Sequence, residues 1–89
     1  MNEKLSRADI ITYLVAICIK NNVTPNDSRF AGLIRKACAA KFGYDKYKAT
    51  SFIDALISAW RFNKWKDYVE DSPYLTKEEK ERWLKQHGT

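Results

Sequence analysis

Glycine and proline are scarce in this sequence of 89 residues, at three and two respectively. A chain that turned often would need more of both, so the elements should be long, which favours helices. Cysteine is limited to Cys18 and Cys38. A secreted domain of this size usually carries more, so the expectation is free thiols in a reducing, cytoplasmic setting, with a bridge between the first two helices as the alternative. Histidine occurs once, as His87 near the end of the sequence. Neither thiol has a histidine nearby in sequence, and CxxC, HExxH, P-loop and GxGxxG patterns are all missing. Two cysteines and one distant histidine make a poor zinc set. These absences argue against an enzyme and against any cofactor.

Long apolar runs are also lacking. The longest, Ile10–Ile19, is interrupted by Thr12 and is far shorter than the ~20 residues a membrane span needs. Met1–Lys4 is polar and no small-residue cleavage site follows the apolar stretch, so neither a signal peptide nor a membrane segment is expected.

What remains is a chain that is 45% hydrophobic and rich in aromatics, the composition of a folded globule rather than a disordered tail. No repeat, linker or low-complexity tract divides it, so residues 1–89 are read as a single helical domain. The expected fold is all-α, a compact bundle of four helices at about 7–20, 25–42, 46–70 and 77–86. Ser6 and Asp9 form a capping-box pair before the first helix. That helix is apolar nearly all round from Ile10 to Ile19, which places it at the centre of the fold. Asn21–Asn22 ends it. Thr24, Pro25 and Asp27 then supply a cap, a first-position proline and a first-turn acid for the second helix. Its apolar stripe is Phe30, Leu33, Ile34, Ala37, Cys38 and Phe42, terminated by Gly43. Ala49, Phe52, Ile53, Leu56, Ile57 and Trp60 form the buried stripe of the third helix, which starts between Asp45 and Ser51. Thr76 and Glu79 make a second capping box for the last helix.

The third helix contains an irregularity. Its stripe calls for apolar residues near 63 and 67, where the chain has Asn63 and Asp67. Phe62, Trp65, Tyr68 and Val69 form a second stripe rotated by up to about half a turn. A kink or break is therefore expected near 61–63, with the last helix folding back to cover the displaced stripe.

The net charge of +5 is unevenly placed. Residues 21–48 hold Arg29, Arg35, Lys36, Lys41, Lys46 and Lys48 against Asp27 and Asp45, a local surplus of four. A concentrated positive field attracts polyanions. Arg29 and Lys36 project from one flank of the second helix and Arg35 from the other, around the small residues Ser28, Gly32 and Ala39. Lys46 and Lys48 alternate with Tyr44 and Tyr47, a pairing suited to phosphates and to stacking on bases. Thr50 and Ser51 are candidate phosphate donors or caps. Arg61 and Lys64 interleave with aromatics at the edge of the region.

A buried helix, a basic helix, a connection and a third helix follow the order of a helix-turn-helix, in which the third helix enters the major groove. A connection of about six residues is longer than the usual three or four. The leading expectation is a non-catalytic nucleic-acid-binding module, DNA rather than RNA, using Arg29, Arg35, Lys36, Lys46, Lys48, Arg61 and Lys64. The competing expectation is a protein-interaction or homodimerisation module anchored by Phe62, Trp65 and Tyr68.

Overall fold

The first helix meets its expected bounds because both its ends carry strong signals. In the computed structural model, which describes residues 5–87, α1 spans Arg7–Lys20. The Ser6 hydroxyl accepts from the Asp9 amide at 3.1 Å and the Asp9 carboxylate accepts from the Ser6 amide at 3.3 Å, closing the capping box. Met1–Lys4, the segment tested for a signal peptide, lies outside the described residues. At the other end Asn22 takes a left-handed φ of 55°. The Val23 amide reaches the Cys18 carbonyl at 2.9 Å and the Asn22 amide the Ile19 carbonyl, the paired bonds of a Schellman ending. Leu14, Val15 and Cys18 are fully buried, and α1 touches every other helix.

The second helix starts later than expected. α2 spans Phe30–Phe42, and residues 25–29 form turns instead of its first turn. The Asp27 carboxylate accepts from both the Arg29 amide at 2.8 Å and the Arg29 guanidinium. That local ring offers the backbone an alternative to helix, the usual way Asp delays a helix start. Phe30, Ile34 and Cys38 turn inward, and Gly43 ends the helix at φ 68°, where the left-handed region favours a residue without Cβ.

α3 spans Lys46–Arg61 and α4 spans Trp65–Glu70, so the expected 46–70 helix is two helices and the expected count of four is five among the described residues. The break falls where the stripe shifts. Asn63 has φ 59°; its amide bonds the Trp60 carbonyl at 3.2 Å and the Lys64 amide bonds the Ala59 carbonyl at 2.7 Å. Asparagine is among the few residues other than glycine that tolerate this conformation. The rotation it introduces turns Trp65 and Val69 into the core that a straight helix would have aimed at solvent.

α5 spans Lys77–His87. The Glu79 amide donates to the Thr76 hydroxyl and the Thr76 amide to the Glu79 carboxylate, at 3.1 and 2.9 Å, the capping box read from the sequence. Its Trp83 lies edge-on to Trp65 with centroids 6.4 Å apart, and Trp60 stacks on Trp65 at 5.8 Å. Lys20 binds Glu79 at 3.2 Å and the Lys80 ammonium donates to the Glu70 carbonyl at 2.9 Å, fixing α5 to α1 and α4. Among the described residues no helix is long and apolar enough to cross a membrane. Cys18 and Cys38 are free, buried thiols. Burial pushes the Cys18 thiol up to about 12 and raises that of Cys38, because a thiolate there would be poorly solvated.

Trp65 and Phe62, adjacent in the displaced stripe, therefore differ in consequence. Trp65→Ala is expected to lower stability by about 3–5 kcal/mol. Phe62→Ala, at a residue 65% exposed, is expected to stay within about 0.5 kcal/mol of the parent. Urea denaturation followed by circular dichroism measures both.

Candidate nucleic-acid interface

The connection between α2 and α3 is shorter than the sequence suggested. Only Gly43, Tyr44 and Asp45 separate the two helices, because α3 begins at Lys46, the early end of the expected range, and not nearer Ser51. The Asp45 carboxylate accepts from the Lys48 amide at 2.9 Å and caps the helix. Capping is thus not the role of Thr50 or Ser51, the residues considered for it. The Thr50 hydroxyl donates to the Lys46 carbonyl at 2.8 Å, and the Ser51 hydroxyl accepts from the Arg7 guanidinium at 3.0 Å. Both stay exposed.

Tyr44 and Tyr47 part company here. Tyr44 is half-buried, stacked between Phe42 and Phe52 at 5.3 and 5.8 Å. Tyr47 is 77% exposed. Lys48 lies 4.3 Å over the Tyr44 ring and Lys46 5.5 Å from the centre of the Tyr47 ring. The Arg7 guanidinium sits 4.6 Å over Phe52 while also bonding Ser51. The exposed side of the first two turns of α3 carries Tyr47, Thr50 and Ser51 between Lys46 on one flank and Lys48 about 160° round on the other, with Arg7 reaching in from α1 to Ser51. Asp45 is spent on its cap, and among the described residues neither lysine has a carboxylate within ion-pair distance.

The remaining basic candidates do not share this surface. Arg29 is held by Asp27 at 2.8 Å, so its charge is neutralised locally. Lys36 lines a groove between α1 and α2. Arg35 stands about 100° round the helix from it, across the buried line of Phe30, Ile34 and Cys38 from that groove. Arg61 borders a cleft with Pro25, Asn26, Ile57 and Trp60. Lys64 shares another with Asp67, Asp71, Ala8, Thr12 and Tyr68. The single broad basic face expected from residues 21–48 is thus divided by the helical geometry.

The interaction candidates are divided too. Trp65 is 3% exposed and serves the core, so it cannot anchor a partner; α5 covers it, as the rule that apolar stripes find cover requires. Tyr68 is half-buried. Phe62 stays exposed beside Ile11, Ala55, Ala59 and Tyr68, which line a shallow cleft with it. Sequence reasoning missed Arg7, and it counted Lys41 in the basic surplus without giving it a role. Arg7 stands 44 positions from Ser51, its partner, so no local signal joined them. Lys41 lies on the apolar side of α2 with its ammonium 5.4 Å from the centre of the Tyr13 ring.

Compared with known protein families, curated proteins and solved structures, the chain matches none.

Acid conditions probe the Asp27–Arg29 pair directly. Hydrogen bonds from the Arg29 side chain and amide lower the Asp27 carboxyl from 3.8 to about 2. Glu79 is lowered as well, first by the Thr76 amide and then by Lys20. A carboxyl with a depressed folded value contributes stability that is complete above its ordinary value and disappears as pH falls through the folded one. Thermal melts are therefore expected to show stability falling from about pH 4 toward pH 2, with the dependence reduced in Asp27→Asn. A Tm that responds equally to pH in Asp27→Asn and the parent rules out that contribution.

Proposed function

We propose that this chain is a small non-catalytic nucleic-acid-binding module of helix-turn-helix form, with DNA as the partner and the first two turns of α3 as the reading surface. The observation that carries the reading is the corner at 43–45. A three-residue turn containing a left-handed glycine joins α2 to α3, which is the connection length and composition of that motif. The corner leads directly into Lys46, Tyr47 and Lys48, and Arg7 of α1 joins them through its bond to Ser51.

The chemistry follows from the side chains. Lys46, Lys48 and Arg7 neutralise phosphates and release their counterions, which supplies affinity without sequence preference. Thr50 and Ser51 carry hydroxyls that can pair with either base edges or phosphate oxygens. The Tyr47 ring, unpacked against the protein, is available for a sugar or a base. Ala49, Phe52, Ile53 and Leu56 hold the opposite side of α3 in the core, so the surface is presented by a rigid element.

Fluorescence anisotropy with a mixed-sequence duplex, titrated with salt, tests this. Lys46→Ala and Lys48→Ala are each expected to weaken binding and to reduce the log–log salt slope by about 0.9, while Lys64→Ala changes neither. Unaltered affinity and slope in the Lys46→Ala, Lys48→Ala double variant would sink the assignment.

Phe62 favours a second reading, a contact surface for another copy of the chain. An aromatic side chain 65% exposed, beside a cleft lined by Ile11, Ala55 and Tyr68, has the form of an interface anchor. Dimerisation through it would set two α3 helices at a fixed spacing. Light scattering is expected to give a larger mass for the parent than for Phe62→Ala; equal masses count against this reading.

A further inference from the structure

We propose that the groove between α1 and α2 is a docking site for an acidic amphipathic helix of a partner protein. It is a shallow, open depression of about 310 Å³ lined by Tyr13 and Ile17 of α1 and by Leu33, Ala37 and Ala40 of α2. The groove exists because α1 is apolar on more sides than the core can cover. Leu14, Val15 and Cys18 are buried, whereas Tyr13 and Ile17, on a neighbouring side, are only half-buried. The α2 residues facing them include two alanines, too short to close the gap, so a furrow remains that fits side chains from a third helix.

Charge selects the occupant. Lys36 and Lys41 flank the floor, Asn21 also lines it, and no carboxylate does. A helix whose leucine or phenylalanine side chains recur at i, i+4 and i+7, with glutamate or aspartate beside them, would fill the floor and meet both ammonium groups. A second copy docked by symmetry is a poorer occupant, because an isologous contact brings each lysine pair toward its own image. The α5 helix of another copy does not suit either, since its Trp83 is buried and its Leu84 half-buried within its own fold. A phosphate backbone finds no partner in an apolar floor.

The test uses the full chain and three synthetic peptides of about 18 residues. One carries leucine at helical spacing with glutamate on both flanks. The second has lysine in place of glutamate, and the third is a scrambled version of the first with the same charge. On titration with the glutamate peptide, amide shifts are expected to concentrate at Tyr13, Ile17, Leu33, Ala37 and Ala40. The lysine and scrambled peptides should bind at least about tenfold more weakly. Reversing both rim charges with Lys36→Glu and Lys41→Glu should cost the glutamate peptide about tenfold and favour the lysine peptide instead. Ala40→Trp, introduced at an exposed position, should fill the groove and abolish binding with helical content unchanged.

Equal binding of the scrambled peptide, shifts mapped to another face, or displacement of the glutamate peptide by duplex DNA overturns the proposal. So does a dimer of the parent that Ala40→Trp dissociates, which would make a second copy the occupant. The groove shares no residue with the Lys46–Lys48 surface. Loss of peptide binding in the Lys36→Glu, Lys41→Glu variant with DNA affinity unaffected by Lys46→Ala separates the fate of this site from that of the nucleic-acid reading.

Discussion

A helix that is apolar on nearly every side has to be surrounded, and α1 imposes that requirement on the whole chain. Four other helices are arranged so that each touches it, and Leu14, Val15 and Cys18 lose all contact with water. Burial of apolar area is the largest favourable contribution available to a domain this small. The arrangement also explains the surfaces left over. Where α2 meets α1 with alanines rather than larger side chains, cover is incomplete and the lysine-flanked groove remains.

Three left-handed residues turn that requirement into geometry. Asn22, Gly43 and Asn63 each end a helix and redirect the chain within a few residues. Gly43 determines how closely α3 follows α2, and with it the position of Lys46, Tyr47 and Lys48. Asn63 rotates the chain so that Trp65 and Val69 reach the core, leaving Phe62 behind on the surface. At Asn22 and Asn63 the left-handed region is a small well, so each fixes the angle between the segments it joins, whereas Gly43 takes the conformation because it has no Cβ.

Much of this was legible locally. The capping boxes at Ser6 and Asp9 and at Thr76 and Glu79 are short-range patterns whose hydrogen bonds span three residues, and both formed as read. The shift of stripe around Asn63 was visible as a failure of helical periodicity, and the break lies there. The start of α2 was misread because Thr24, Pro25 and Asp27 satisfy the rules for a helix start, yet the Asp27 carboxylate pairs with Arg29 and holds a turn instead. Two locally reasonable structures competed, and in the one that formed Val23 and Phe30 are both buried. The connection after Gly43 looked long because Asp45, Thr50 and Ser51 are all acceptable caps and sequence alone does not rank them.

Local rules, then, were enough for the helical class, the central place of α1, the ends of the first and last helices and the discontinuity near Asn63, since each depends on residues within one or two turns of each other. Tertiary packing decided which charges share a surface. Consecutive residues of a helix point about 100° apart, so Arg35 and Lys36 diverge although adjacent, while Arg7 and Ser51 meet across most of the chain. Packing likewise decided that Trp65 belongs to the interior and Phe62 to the exterior, because whether an aromatic side chain is covered depends on a helix, α5, that begins well after both.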